Sequence, residues 1–136
     1  MSEDKRDWSL SEEVGGRERL RELVYDFYER VFDDAMIGFF FAGMELAEIA
    51  DAQIEYVRAR LGNEDVDYTG KPIRTAHFEH PILPAHFDRR HEILKETLDD
   101  YDVPEHVERA WLELEQRLRD LVVRTGGEAR ERILDD

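Results

Sequence analysis

Four side chains in this 136-residue sequence are of a type and placement to handle a small polar ligand: the phenol of Tyr28, the amide of Gln53 and the imidazoles of His77 and His91. Each is set among apolar residues. His77 closes the stretch Tyr68-Thr69-Gly70-Lys71-Pro72-Ile73-Arg74-Thr75-Ala76-His77. Pro72 suits a first helical position, where its missing N–H would be unpaired in any case. Ile73 stands four residues before His77 and so shares its face. A neutral imidazole on an apolar face is either a hydrogen-bonded core residue or a ligand, and a lone histidine favours the former. Gln53 poses a similar alternative, because an inward amide costs free energy unless a neighbour or a ligand pairs with it. Four such groups facing one small core need a reason. One is a dry structural network. The other is a planar apolar ligand with a metal centre, bound by one histidine from one side while tyrosine and glutamine donate to whatever binds on the other.

The elements that must position these groups are helical. Ser11 can cap a short helix over Glu12, Glu13 and Val14, which Gly15-Gly16 breaks. Arg17 to Asp33 carries Leu20, Val24, Phe27 and Val31 on one stripe, widened by Leu23 and Tyr28, so Tyr28 points at or beside the core. Asp33-Asp34 ends it. Phe39-Phe40-Phe41 between Gly38 and Gly43 is too short for a helix with one wet face and predicts a buried corner. From Glu45 to Leu61 the helical period returns, with Leu46, Ile49, Gln53, Tyr56 and Val57 inward. Residues 62–70 form a polar, acidic connection. The short His77 segment follows, and then Pro81-Ile82-Leu83-Pro84, which cannot stay helical. Ala85 to Tyr101 is the clearest amphipathic helix, through Phe87, His91, Leu94, Leu98 and Tyr101. After Val103-Pro104 the last helix turns Val107, Trp111, Leu114, Leu118, Leu121 and Val122 inward, and Thr125-Gly126-Gly127 stops it. No segment alternates with strand period. The expectation is an all-α domain over residues 14–124, a flexible N-terminal segment over 1–13 and a charged tail over 125–136.

Composition narrows the partners. Thirty-four acidic against 19 basic residues give a net charge of −15, which repels phosphate backbones and anionic lipid, so neither nucleic acid nor a membrane surface is expected to bind. Only Lys5, Lys71 and Lys95 are lysines. An acidic, lysine-poor surface suits a high-salt cytoplasm, and equally an ordinary acidic protein from a GC-rich genome. The absence of cysteine excludes disulfides and thiolate ligands. No run is long and apolar enough to span a membrane and no signal sequence is visible, so the expected location is the cytoplasm.

Gly15-Gly16, Asp26-Phe27-Tyr28-Glu29-Arg30-Val31, Phe40-Phe41-Ala42-Gly43, Gln53, Tyr68 through Pro72 ending at His77, and His86-Phe87 occur in an order and spacing that resembles the truncated haemoglobins, from about Val14 to Val123. The resemblance is closest to the first group of that family, with the Pro81-to-Pro84 turn and other features reminiscent of other groups. It implies a truncated globin fold, a two-over-two helical sandwich around haem b (iron protoporphyrin IX). His77 matches the proximal histidine and metal ligand. Tyr28 and Gln53 match the distal tyrosine and glutamine, Phe41 the phenylalanine on the porphyrin face, and Ile49 the gate position. An apolar Ile49 can narrow the way in but cannot donate to a ligand. Lys71, Arg74 and Arg58 are the nearest cations for the haem propionates, and Phe87 and His91 are further expected contacts. The apolar stripe favours His91 inward with Arg90 at its margin. There His91 either meets a ligand or is an ordinary half-buried helix histidine. His80, His86 and His106 read as exposed or packing residues and Trp111 as core.

Function follows by the same resemblance. Dioxygen, nitric oxide, carbon monoxide or cyanide would bind the iron. Bound dioxygen takes on negative charge, which the Tyr28 hydroxyl and the Gln53 amide can stabilise by roughly 1.5–3 kcal/mol each, slowing release by one to a few decades. Reversible oxygen binding and nitric oxide dioxygenation are the implied uses. No reductase segment is legible, so an external reductase would supply electrons. A haem-based gas or redox sensor is the alternative, and a haem-free helical interaction module a third reading. The chain is expected as a monomer or small homo-oligomer.

Overall fold

Gly15 and Gly16 take φ values of +106° and +116°, a region that L side chains avoid, so the first helical turn ends there and the chain is redirected. The computed structural model describes residues 8–62 and 83–124, with side chains to residue 119. That first turn is α1, Leu10–Glu13, and the helix after the glycines is α2, Arg17–Asp33. Leu10 is fully buried and Ser11 nearly so, so α1 contributes to the interior.

Helix α2 buries Leu20, Leu23, Val24, Phe27, Tyr28 and Val31, the stripe that its 3.6-residue period predicts. Asp34 stops it in an extended conformation. Its carboxylate then accepts the N–H groups of Met36 at 3.0 Å and Ile37 at 3.2 Å, which shapes the corner. A 3₁₀ turn, Gly38–Phe41, follows. A Cβ at Gly38 would stand 2.4 Å from the Phe32 carbonyl oxygen, so the corner closes only because that side chain is absent. Of the three phenylalanines, Phe41 is buried and stacks on Phe32 at 5.1 Å, whereas Phe39 is 48% exposed. The corner is therefore less buried than the run of phenylalanines predicts. Phe41 enters the core, Phe40 packs partly against it, and Phe39 stacks on Phe40 from the solvent side.

Helix α3 runs Leu46–Leu61, α4 Pro84–Asp100 and α5 Glu105–Arg124. Proline opens α4 and immediately precedes α5, where its missing N–H is harmless. His86 assists the start of α4 by accepting the Leu83 N–H on Nδ1 at 3.1 Å. Helix α2 packs on α3, α4 packs on α5, and α2 also packs on α4 while α3 meets α5. This is two helix pairs laid one over the other. Among the described residues there is no strand, and no helix is long and apolar enough to cross a membrane.

Arg89 on α4 locks the pairs at the α2 end, its Nε and Nη2 standing 2.9 and 2.8 Å from Asp34 Oδ1. Hydrogen bonding from Arg89, opposed by partial desolvation, leaves the Asp34 carboxyl below its ordinary range. A lowered folded-state value adds stability that is fully present above the unfolded value, about 3.9, and is lost as pH falls through the folded one. Asp34→Asn is therefore expected to reduce unfolding stability by about 1–2 kcal/mol near neutral pH. In urea titrations, the gap to the parent protein should close as pH drops below about 4.

Candidate functional site

The site begins with Tyr28, one residue beyond the Phe27 position of the α2 stripe. That register carries its ring inward at 4% exposure, edge-on to Phe27 at 4.9 Å and to Phe41 at 6.3 Å between centroids. Helix α3, packed on α2, supplies Gln53 at 7% exposure. Ile49, one turn earlier on the same face, is partly buried against the core. Phe87, on the first turn of α4, is buried as well. A neutral phenol and a neutral amide thus sit in an interior lined largely by aromatic and aliphatic groups, the kind of lining that keeps water from a polar ligand.

The charged part of this interior comes from α4 and α5. Arg90 Nη2 donates to the Tyr28 hydroxyl oxygen at 3.1 Å, and Arg90 Nη1 pairs with Glu115 Oε2. The Arg90 and Glu115 side chains are 14% and 1% exposed. The guanidinium carbon lies 5.0 Å from the Phe27 ring centre and 5.9 Å from that of Phe87, so it is held between aromatic faces as well. Burial works against its charge, but Glu115 and then Tyr28 outweigh that penalty and raise Arg90 above its ordinary range. Arg90 is permanently cationic here. Periodicity puts His91 inward and Arg90 at the margin; in the structure the guanidinium, one residue earlier, is what reaches Tyr28. His91 is half-buried, with Nδ1 buried and unpartnered among the described residues. It lies close enough to Asp88 to help Arg119 hold that carboxyl below its usual range.

His77, Lys71 and Arg74 lie outside the described residues, as do His80, Pro81 and Ile82. Arg58 is on α3, half-buried. His106 Nε2 is 2.6 Å from Glu13 Oε1 and edge-on to Trp8, joining α1 to α5. Trp111 is buried in the core. Glu115 is the buried charged residue that sequence reasoning missed. One signal was available: it follows Trp111 by four residues, and Arg90 follows Phe87 by three, so each charge sits next to an inward stripe on neighbouring helices.

Two stacked helix pairs with a phenol and an amide in the interior define the class of 2/2 globins. A family model described as bacterial-like globin matches residues 9–124. Group 1 truncated hemoglobin GlbN of Synechocystis sp. is 36% identical over 101 residues, covering 71% of this chain and 81% of that protein. The GlbN of Mycolicibacterium paratuberculosis is 34% identical over 79 residues, 58% of this chain and 57% of its own length. The crystal structure of a 2/2 hemoglobin from Synechococcus sp. superposes with a TM-score of 0.74 at 25% identity, covering 85% of this chain and 98% of that one. The chain belongs to the bacterial-like globin family and, within it, to the group 1 truncated haemoglobins.

Haem-based binding of gaseous ligands comes with that membership, and the interior suits the group. Buried rings at Phe41 and Phe87 and buried polar groups at Tyr28 and Gln53 are the side-chain chemistry such a group requires. The buried ion pair makes its own demand. Removing one charge strands the other in the interior, which costs about 3–5 kcal/mol, whereas replacing both with apolar groups of similar volume is near neutral. Glu115→Ala is expected to show the large loss in chemical unfolding, and the double variant Arg90→Met/Glu115→Leu to recover most of it.

Proposed function

We propose that this chain binds haem b through His77 and takes up dioxygen, nitric oxide, carbon monoxide or cyanide reversibly. We further propose that it uses this binding in the cytoplasm to convert nitric oxide and dioxygen to nitrate, with one electron per nitrate delivered by an external reductase. When bound, haem supplies an iron centre with a coordination position open to a diatomic ligand. The residues of the chain supply the rest. Tyr28 and Gln53 present an O–H and an N–H to a ligand whose outer atom is negatively charged, and Phe41, Ile49 and Phe87 keep water away so that these bonds act in a low dielectric. Lys71, Arg74 and Arg58 are the cations proposed for the propionates.

The observation that carries this reading is the burial of Tyr28 and Gln53 on packed helices, two neutral donors set among aromatic and aliphatic side chains with the Arg90–Glu115 pair alongside. Membership of a haem-binding family supports the cofactor, and the donor pair supports retention of a charged diatomic ligand.

The test is spectroscopic first and kinetic second. Protein produced with ample haem should be red, with a Soret band that shifts on addition of carbon monoxide. His77→Ala should be recovered largely haem-free. Tyr28→Phe should keep haem and release oxygen about tenfold faster or more, the loss of one hydrogen bond to a charged acceptor. Supplied with a reductase, the protein should form many nitrates per haem. Colourless protein would overturn the haem assignment, and stoichiometric nitrate alone would reduce the role to binding.

A further inference from the structure

The Arg90–Glu115 pair lies beside the ligand-binding reading without being used by it. A buried pair that served only to join α4 to α5 would need nothing from α2. Here one nitrogen of the guanidinium is committed to Glu115 and the other turns to the Tyr28 oxygen at 3.1 Å. Arginine, with donors in a planar fork, can hold a carboxylate and a phenol at once in fixed directions. Glu115, at 1% exposure, fixes the fork and balances its charge. Phe27 and Phe87 bracket it.

We infer that Arg90, held by Glu115, is a positioning residue for the distal hydroxyl: it occupies the acceptor side of the Tyr28 oxygen, turns the hydroxyl proton away from α4 and strengthens that hydroxyl as a donor to a ligand. A phenol oxygen that accepts from a cation has a more polarised O–H bond, and this cooperative strengthening is greatest in a low dielectric. The carboxylate keeps the site neutral overall, so the effect passes through the geometry of one hydrogen bond and not through a bare positive charge. This inference rests on the haem reading above and adds a charged pair, from α4 and α5, to the surroundings of the ligand site.

The test is a mutant cycle on the haem-loaded protein. Four proteins are compared: the parent, Arg90→Met/Glu115→Leu, Tyr28→Phe, and all three substitutions together. The neutral double replacement keeps the packing, so loss of the fold does not obscure the result. In the parent background, removing the pair should speed oxygen release roughly two- to tenfold. The same change should move the infrared stretch of bound carbon monoxide to higher wavenumber, which a purely structural pair would leave in place. In the Tyr28→Phe background the pair should have no further effect on either quantity. Arg90 guanidinium resonances in the diamagnetic carbonyl form should shift when Tyr28 becomes phenylalanine. An unchanged stretch and rate on removing the pair would overturn the inference while leaving the haem reading intact. An equal effect with and without the Tyr28 hydroxyl would also overturn it, because Arg90 would then act on the ligand directly. Protein that takes up no haem would overturn both readings.

Discussion

Helix α2 packs against α3 and against α4, and its apolar stripe of Leu20, Leu23, Val24, Phe27 and Val31 is excluded from water by both contacts. Burial of each such side chain contributes about 1.5–3 kcal/mol relative to exposure, so α2 is where the two helix pairs are joined. Tyr28 is carried on this helix. Its inward direction follows from a register that cannot slip without exposing the stripe, and the hydroxyl is therefore presented to the interior by the same force that assembles the fold.

The corner after α2 shows how local chemistry sets that geometry. Asp34 ends the helix, organises the next two N–H groups and receives Arg89 from α4. Gly38 lets the chain pass against the Phe32 carbonyl, and Phe41 is the ring delivered to the interior, beside Tyr28. A short stretch held by its own backbone hydrogen bonds thus leads into α3 and delivers an aromatic ring beside Tyr28. Gln53 then arrives on α3 because Ile49, Gln53, Tyr56 and Val57 share a face.

The buried charges follow a different logic. Arg90 and Glu115 would each be costly alone in this interior, and each is tolerated because the other is there. The phenol gives the guanidinium its second acceptor, and the neighbouring rings complete its surroundings. A ligand pocket next to such a pair has a polar wall whose atoms are held in place before any ligand arrives, the condition under which hydrogen bonds discriminate between ligands.

By itself the amino-acid sequence determined the four long helices and the inward side chains of their apolar stripes. It set the start of the first short helix at Ser11, where the structure starts it after Ser9. Arg17 to Asp33 is a helix in both readings, Glu45 to Leu61 differs by one residue, and Tyr28 and Gln53 are inward as their spacing requires. Period and capping are local properties, legible within a dozen residues. His77, the residue on which the sequence reading turned, is outside the described residues. What only the tertiary structure decided is the placement of charge. Arg90 was set at a margin and Glu115 was passed over, because hydropathy counts an ionised group as outward-facing wherever it stands. Their burial depends on a partner 25 residues away on another helix and on a phenol 62 residues away. Periodicity cannot see that pairing; it exists only once α2, α4 and α5 have packed.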